Sequence, residues 1–380
     1  MSPIAGPIGL ALNPRWIACS TSPAGVVLHS FATQALDTGD PREDSLRALA
    51  VHPSEPYLPI DEARLGERRR ERLWRIPESE LEQPGDLAQL LKATRNAAQT
   101  PVAAPRIMGI LNVTPDSFSD GNRYLDPLRA LDQGQAMLAA GATILDVGGE
   151  STRPGSAPVP ADEEWRRVGP VLEKLAATTG AILSIDTTKA EVARRALEAG
   201  AHWVNDIRAG TVDPKLLEVV AEHGASYVAM HCTAPPDRMQ QGIHFGDVVA
   251  EVSHWLRQRL AVFRQVGIRE NRILLDPGIG FGKHLEHNLS LLGRLWELRS
   301  LGCPLLLGVS RKSFIAHLAL AEKPSGGSLP GPADRVGGTA AAVALCVAGG
   351  ASVLRVHDVA TMAQAAQVAY AVHSYHAPRP

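Results

Sequence analysis

The chain has 380 residues, 45% hydrophobic and 21% charged, with 38 Lys and Arg against 40 Asp and Glu and a net charge of −2. That balance excludes wholesale disorder, and the near-neutral charge gives no global attraction to nucleic acid or an anionic membrane. Aromatic residues are only 4%, so the core must be built from Ala, Val, Leu and Ile. The four cysteines, Cys19, Cys232, Cys303 and Cys346, are far apart and form no Cys-x-x-Cys pair. This argues against a disulfide framework or a structural zinc site and fits a reducing, cytoplasmic compartment. The apolar N-terminal stretch has no basic residue before it and is interrupted by Pro3, Pro7 and Pro14, so no secretory signal is expected. No apolar run reaches the roughly 18 residues that a membrane span requires.

Residues 1–103 are rich in Pro and Arg and weakly periodic, and read as an N-terminal extension of unassigned role. Gly25-Val26-Val27-Leu28 is a candidate strand. Arg64 to Arg75 holds six arginines with Glu67 and Glu71 among them. A basic docking patch is one reading; a solvated helix with mixed-sign i,i+4 pairs is the simpler one. Asp86 to Ala97 has Leu87, Leu90 and Leu91 on one helical face, and Ala97–Pro105 reads as a linker.

From Arg106 onward a pattern recurs: a small-residue turn, a short apolar run, then a polar residue. Ala140-Gly141-Ala142, Ala199-Gly200-Ala201, Gly224-Ala225 and Gly350-Ala351 each precede such a run. Glycine can end a helix in the left-handed conformation, and a continuous apolar run fits a strand buried on both faces. Eight strands are expected, at 106–112, 143–147, 181–185, 202–206, 226–231, 272–276, 305–309 and 352–356. Helical segments such as Asp162–Ala177, Lys189–Ala199, Gly246–Val266 and Arg335–Ala348 lie between them. Eight strand–helix units in about 275 residues match a (β/α)8 TIM barrel, expected over 104–380. The alternative, an open doubly wound sheet, is disfavoured because no GxGxxG follows the first strand.

In such a barrel, chemistry sits at the carboxyl ends of the strands. Here those ends carry Asn112, Asp146 followed by Glu150, Asp186, Asn205-Asp206, His231, Asp276, Ser310-Arg311-Lys312, and Arg355 with His357. One strand-end Asp is commonly a cap or turn residue; eight polar ends on one rim point to a site. Asp186, Asn205 and Asp276 suit a planar heterocycle with an amidine-like edge, since a carboxylate pairs with two parallel N–H donors. Lys312, Arg355, His357 and Arg153 suit a phosphate or diphosphate. The loops 112–121 and 150–156 are long for strand-to-helix connections and bring Asp116, Asp120, Thr152 and Arg153 to the same rim.

The motifs IMGILNVTPDSFSDG (107–121), GATILDVGGESTRPG (141–155), SIDT (184–187), VND (204–206), MH (230–231), LDPGIGFGK (275–283), GVSRKSF (308–314), RVGGT (335–339) and LRVHDV (354–359) closely resemble dihydropteroate synthase over roughly residues 105–376. The resemblance implies a TIM barrel, usually a homodimer, which joins 4-aminobenzoate to 6-hydroxymethyl-7,8-dihydropterin diphosphate in folate synthesis, with Mg2+ as cofactor and release of diphosphate.

Carried over to this chain, it implies a pterin site of Asp186, Asn205, Met230, Asp276, Phe281 and Lys312. It implies diphosphate contacts from Asn112, Thr152, Arg355 and His357, with Asn112 also at the metal. Phe118, Thr152, Arg153, Pro154 and Ser313 are implied to shape the aminobenzoate side. Lys312, Asp186, Arg153 and Asp120 are implied as the catalytic groups. The sequence departs from the family at Cys232 and the residues after it. Two rivals share part of the pattern: a pterin-binding methyltransferase barrel, which needs no diphosphate set of Lys312, Arg355 and His357, and a non-catalytic pterin-binding homologue.

Overall fold

The computed structural model describes residues 16–22, 25–33, 52–54 and 69–76 as strands, and then residues 103–113, 127–151, 156, 158–232, 234, 238–240, 242–321 and 328–375. The chain divides into two compact units, one of residues 1–101 with 249–257 and 296–302, the other of the remaining residues.

The first unit contains an antiparallel sheet of β1 (Trp16–Ser22), β2 (Gly25–Thr33), β3 (His52–Ser54) and β4 (Arg69–Ile76), in the order β1-β2-β4-β3. The expected strand at Gly25–Leu28 opens β2. The helix expected within Arg64–Arg75 is not formed there: residues 69–76 are β4, paired to β2 through Val27–Arg75 and His29–Leu73 and to β3 through His52–Arg75. The i,i+4 charge pairs that favoured a helix contribute only about 0.2–0.5 kcal/mol each. A strand placed between two others satisfies its backbone on both edges, which outweighs them. The helix expected at Asp86–Ala97 lies outside the described residues.

The second unit contains the barrel. Its strands are β5 (Arg106–Asn112), β6 (Ile144–Gly148), β7 (Ile182–Asp186), β8 (Trp203–Asp206), β9 (Ser226–Met230), β10 (Ile273–Asp276), β11 (Leu306–Leu307) and β12 (Val353–Val356). All eight pair in parallel in the order β10-β9-β8-β7-β6-β5-β12-β11, and a bridge between Leu275 and Leu305 joins the outer two. The main helices between them are α1 (Pro127–Ala139), α2 (Ala161–Thr178), α3 (Ala190–Glu198), α4 (Lys215–His223), α5 (Val248–Val266), α6 (Leu285–Gly293), α7 (Leu295–Leu298), α8 (Ser313–Ala321), α9 (Val336–Ala348) and α10 (Val359–Ser374). Among the described residues no helix is long and apolar enough to cross a membrane.

Each expected strand is present to within a residue or two, except that 305–309 yields only the two-residue β11. The four turn glycines, Gly141, Gly200, Gly224 and Gly350, all have positive φ, the conformation that lets a helix stop and the next strand start.

Side chains alternate along a strand, so residues two apart share a face. One apolar layer takes a residue from every strand: Met108, Ile144, Ile182, Trp203, Val228, Leu274, Leu306 and Val353 pack together inside the barrel. Moving two residues toward the carboxyl ends gives Ile110, Asp146, Ser184, Asn205, Met230, Asp276, Gly308 and Arg355. This next layer is polar on five strands. The inside of the barrel is therefore hydrocarbon at one level and charged at the next.

Candidate active site

The charged layer is held together by one guanidinium. Arg355 Nε donates to Asp146 Oδ2 at 2.6 Å, and its terminal nitrogen donates to Asp186 Oδ2 at 2.6 Å. Asn205 Nδ2 donates to the same Asp146 oxygen at 2.9 Å. Four strands, β6, β7, β8 and β12, are thus tied at the carboxyl end. The other Asp146 oxygen, Oδ1, is buried with no hydrogen-bond partner among the described residues.

Two residues further along β5, β6 and β7, Asn112, Gly148 and Asp186 stand in register, and Asp186 is paired in turn with Asn205 of β8. Gly148 brings no side chain to this rung. A Cβ there would stand 3.7 Å from both Asn112 Oδ1 and Asp186 Oδ2, so the glycine keeps open the space that these two oxygens face.

Asp276 ends β10 with its backbone carbonyl bonded by the His231 N–H at 2.9 Å and its Oδ1 bonded by the Gly278 N–H at 2.7 Å. The chain then curls through Gly278 and Gly280, both at positive φ. A Cβ on Gly278 would come within 2.1 Å of the His231 carbonyl oxygen, so this close approach requires glycine. The curl delivers the Phe281 ring, and Lys312 Nζ sits 3.9 Å from its centroid, a cation–π placement. Met230, Cys232 and Met239 are buried beside it with Ile207.

Lys312 follows a residue in an uncommon conformation. Arg311 has φ +59 without being glycine. It is held on three sides: its N–H donates to Thr339 Oγ1 at 3.1 Å, its carbonyl accepts from Arg335 at 2.8 Å, and its guanidinium forks onto Asp358 at 2.9 and 2.5 Å. Next door, Ser310 Oγ lies 3.0 Å from His357 Nδ1 and accepts the His357 backbone N–H at 3.2 Å. Ser313, the first residue of α8, is exposed.

Burial dominates the electrostatics. It raises Asp186 to about 7, although Arg355 opposes the shift, and raises Asp276 to about 6 against Gly278 and the cations Lys312, Lys283 and Arg355. It lowers Lys312 to about 8, with Asp276 resisting. His357 falls to about 3 through burial and then the neighbouring Arg355 and Arg311 charges, so its ring is neutral at pH 7. Arg355 moves the other way, because Asp146 and Asp186 outweigh its burial. Carboxyl groups and amines with displaced affinities that meet at one end of a barrel are a mark of functional sites.

The structure therefore brings Asn112, Asp186, Asn205, Met230, Asp276, Phe281, Lys312, Arg355 and His357 to one end of the barrel. Asp120, Phe118, Thr152, Arg153 and Pro154 lie outside the described residues, as does Asp116. Two strand-end acids have other partners. Asp206 turns to the opposite face of β8 and accepts from Tyr227 Oη and the Arg208 and Gly210 N–H groups. Glu150 pairs with Lys189, which also pairs with the buried Glu164. Sequence reasoning placed Asp146 at a strand end but gave it no role. Its signal was the two-residue step from the apolar Ile144, which aims it inward.

A parallel barrel with charges of both signs at its carboxyl end has the architecture of an enzyme that holds a polar ring and an anion together. More narrowly, the chain belongs to the pterin binding enzyme family, whose model matches residues 108–357. It is 45% identical over 266 residues to a dihydropteroate synthase of Synechocystis, covering 70% of this chain and 89% of that one, and 44% identical over 270 residues to the Escherichia coli K12 dihydropteroate synthase, covering 71% and 92%. Among solved structures it resembles Xanthomonas albilineans dihydropteroate synthase with 4-aminobenzoic acid, at TM-score 0.65 and 44% identity over 72% of this chain and 95% of that one. The same enzyme in complex with 7,8-dihydropteroate matches at TM-score 0.63 and 41% identity, covering 74% and 99%.

Proposed function

We propose that this chain is a dihydropteroate synthase, a transferase of folate biosynthesis that condenses 6-hydroxymethyl-7,8-dihydropterin diphosphate with 4-aminobenzoate and releases diphosphate. The observation that carries the reading is the shared mouth. Asp276 and Arg355 stand on the same layer, close enough that Arg355 is among the cations acting on Asp276.

In this reading Asp276 accepts the paired N–H groups of the pterin edge, with Asn205 and Asp186 on the same ring. Met230 and Phe281 line the slot, and Lys312 donates to the ring's other polar edge. Arg355 and His357 face the diphosphate. Where Ser310 donates to Nδ1, the hydrogen of neutral His357 resides on Nε2, which then donates to the diphosphate. Thr152 joins them at the diphosphate, while Phe118, Arg153, Pro154 and Ser313 shape the aminobenzoate side. Arg153 and Asp120 act beside Lys312 and Asp186 in catalysis, an assignment that rests on motif resemblance.

The reaction breaks the C–O bond between the pterin methylene and diphosphate, and the electron pair leaves on oxygen. The arylamine nitrogen attacks the methylene and then loses a proton. An electron-rich ring can carry positive charge, so bond breaking can run ahead of attack. The protein's tasks are then electrostatic: Asp186 and Asp276 steady the cationic ring, and Arg355 draws the leaving anion. An arylamine is itself a competent nucleophile, so the reading calls for no strong base and no nucleophile–His–Asp arrangement.

Mg2+ is the proposed cofactor. Asn112 Oδ1, beside Asp186 Oδ2 across Gly148, is a hard oxygen donor suited to it. Among the described residues no group of three His, Cys, Asp or Glu could hold a metal unaided. An ion at Asn112 therefore needs diphosphate oxygens and water, the usual surroundings of Mg2+. When bound it supplies charge neutralisation at the leaving group.

We place the enzyme in the cytoplasm and read it as a homodimer, with residues 1–103 as an extension of unassigned role. Supporting the dimer, Leu345 on α9 and the i, i+4, i+7 stripe Val368, Val372 and Tyr375 at the end of the chain are 58–73% exposed. The deciding assay supplies pterin diphosphate, 4-aminobenzoate and Mg2+ and follows dihydropteroate and diphosphate. Product in equal amounts supports the reading. Pterin binding without turnover would instead favour a non-catalytic homologue.

A further inference from the structure

Behind the ring-binding wall sits a charged side chain that the reaction does not use. Lys283 is 4% exposed. Its Nζ has three acceptors: His231 Nδ1 at 3.0 Å, the Phe281 carbonyl at 3.0 Å and the His231 carbonyl at 3.4 Å. An ammonium has three donors, so the set is filled. Two of these acceptors belong to the end of β9 and one to the curl after β10, so a single side chain laces two neighbouring strand ends together.

The curl it laces carries functional groups on its other side. Asp276 enters it, with its carboxylate bonded by Gly278 N–H, and Phe281 leaves it, with its ring against Lys312. The position that a Gly278 Cβ would occupy lies 2.1 Å from the His231 carbonyl and 3.3 Å from Lys283 Nζ, which shows how closely the lysine underlies the loop. Asn288 fastens the same loop from outside, accepting the Gly280 N–H at 2.7 Å and donating to the Lys283 carbonyl at 3.2 Å.

We propose that Lys283 is a positioning residue for the pterin slot: its ammonium fixes Phe281 against Lys312 and supplies positive potential beneath Asp276. This inference rests on the functional reading above and adds to it a residue that touches no substrate. Isolated buried charges are costly, and here the cost is offset by three acceptors that an apolar side chain of similar length would leave without this donor. Burial lowers Lys283 to about 7, with Cys232 and Asp276 favouring its charge and Lys312 opposing it. Burial also lowers His231, and then the adjacent Lys283 charge does, so the imidazole is the neutral acceptor. Lys312, Lys283 and Arg355 are cations that keep Asp276 from rising further; Cys346 faces Asp276 and Cys232 faces Lys283.

The test compares Lys283→Met, which removes tether and charge, with Lys283→Gln, which removes the charge but keeps an N–H donor on a side chain one bond shorter. Pterin diphosphate binding is titrated calorimetrically across pH 5–8, alongside KM for each substrate and the thermal midpoint. Lys283→Met is expected to weaken pterin diphosphate by about tenfold or more, the scale of a lost charged hydrogen bond. The thermal midpoint should fall, since three buried acceptors lose their donor, while the KM for 4-aminobenzoate should stay unchanged. Both variants should move the acid limb of pterin binding to higher pH, because Asp276 loses a cation. Should Lys283→Met fail to fold, Lys283→Gln still reports the acid limb. Unchanged affinity and acid limb, or a parallel loss of both KM values with the thermal midpoint, would overturn the positioning role. If the unaltered chain binds no pterin diphosphate, it is the functional reading that fails, not this one.

Discussion

Arg355, on the last strand, donates to Asp186, on the third strand of the barrel, at 2.6 Å, and the same guanidinium donates to Asp146 at 2.6 Å. The cation assigned to the leaving diphosphate is thus already bonded to the carboxylate assigned to the ring. The two halves of the proposed site are not separate patches. They share one ion network, and what weakens one changes the other.

Arg355→Ala leaves the Asp146 and Asp186 carboxylates in a buried layer without their counter-charge. Breaking one partner out of a buried ion pair costs about 3–5 kcal/mol. Arg355→Lys restores the charge but not the planar fork that reaches two acids, so it should recover only part. Urea unfolding of the three proteins checks the order wild type, Lys, Ala. Equal midpoints would mean that the network contributes nothing to the fold.

Asp276 has a defined pH window. Its folded pKa is raised from 3.8 to about 6, so the folded state binds the proton more tightly than the unfolded chain. Its stabilising contribution is complete below about pH 4 and is lost as pH rises through about 6. His231 and His357 titrate with the opposite sign in this range, so the total curve hides the effect. The difference between wild type and Asp276→Asn isolates it: without ligand, wild type should lose ground to the variant from pH 4 to 6. With pterin diphosphate present the comparison should reverse, since removing the carboxylate weakens binding by about 2–3 kcal/mol.

Lys312→Ala should cut turnover strongly while the fold persists. Lys312 is half-buried at a cost, and Phe281 and Asp276 are its compensation. Circular dichroism and the steady-state rate separate the two effects. A normal rate would reduce the Ser310-Arg311-Lys312 segment to a turn.

Arg311 and Asp358 link the loop that carries Lys312 to the strand end that carries Arg355 and His357. A double-mutant cycle of Arg311→Ala and Asp358→Ala on kcat should show coupling of about 0.5–3 kcal/mol. Arg311→Gly relieves the positive φ, worth roughly 1–2 kcal/mol for a non-glycine residue, and should be more stable than Arg311→Ala yet equally impaired. Additive single effects on kcat would show that the pair does not transmit position to the site.

Local sequence was sufficient for the eight strands and most of the rim. A buried parallel strand must be continuously apolar, and its ends must turn at Gly or Asp, so Ile144–Gly148 or Ser226–Met230 can be seen without knowing any neighbour. Arg69–Ile76 defeats a local reading for the opposite reason: its state depends on β2 and β3 offering ladders on both sides, which no local pattern reveals.

The site divides in the same way. The residues themselves, Asp186, Asn205, Asp276, Lys312 and Arg355, were legible because one polar strand end is commonplace, as a cap or turn residue, whereas polar groups at all eight ends of one rim are not. Tertiary structure alone decided their partners. Register on adjacent strands gave Asp146 to Arg355 and Asn205, strand alternation turned Asp206 away from the mouth, and the approach of β9 to the β10 curl put Lys283 under Asp276. Burial can be inferred from a pattern along one chain, but a charge acquires its function from what stands about 3 Å away, and that distance exists only once the barrel has closed.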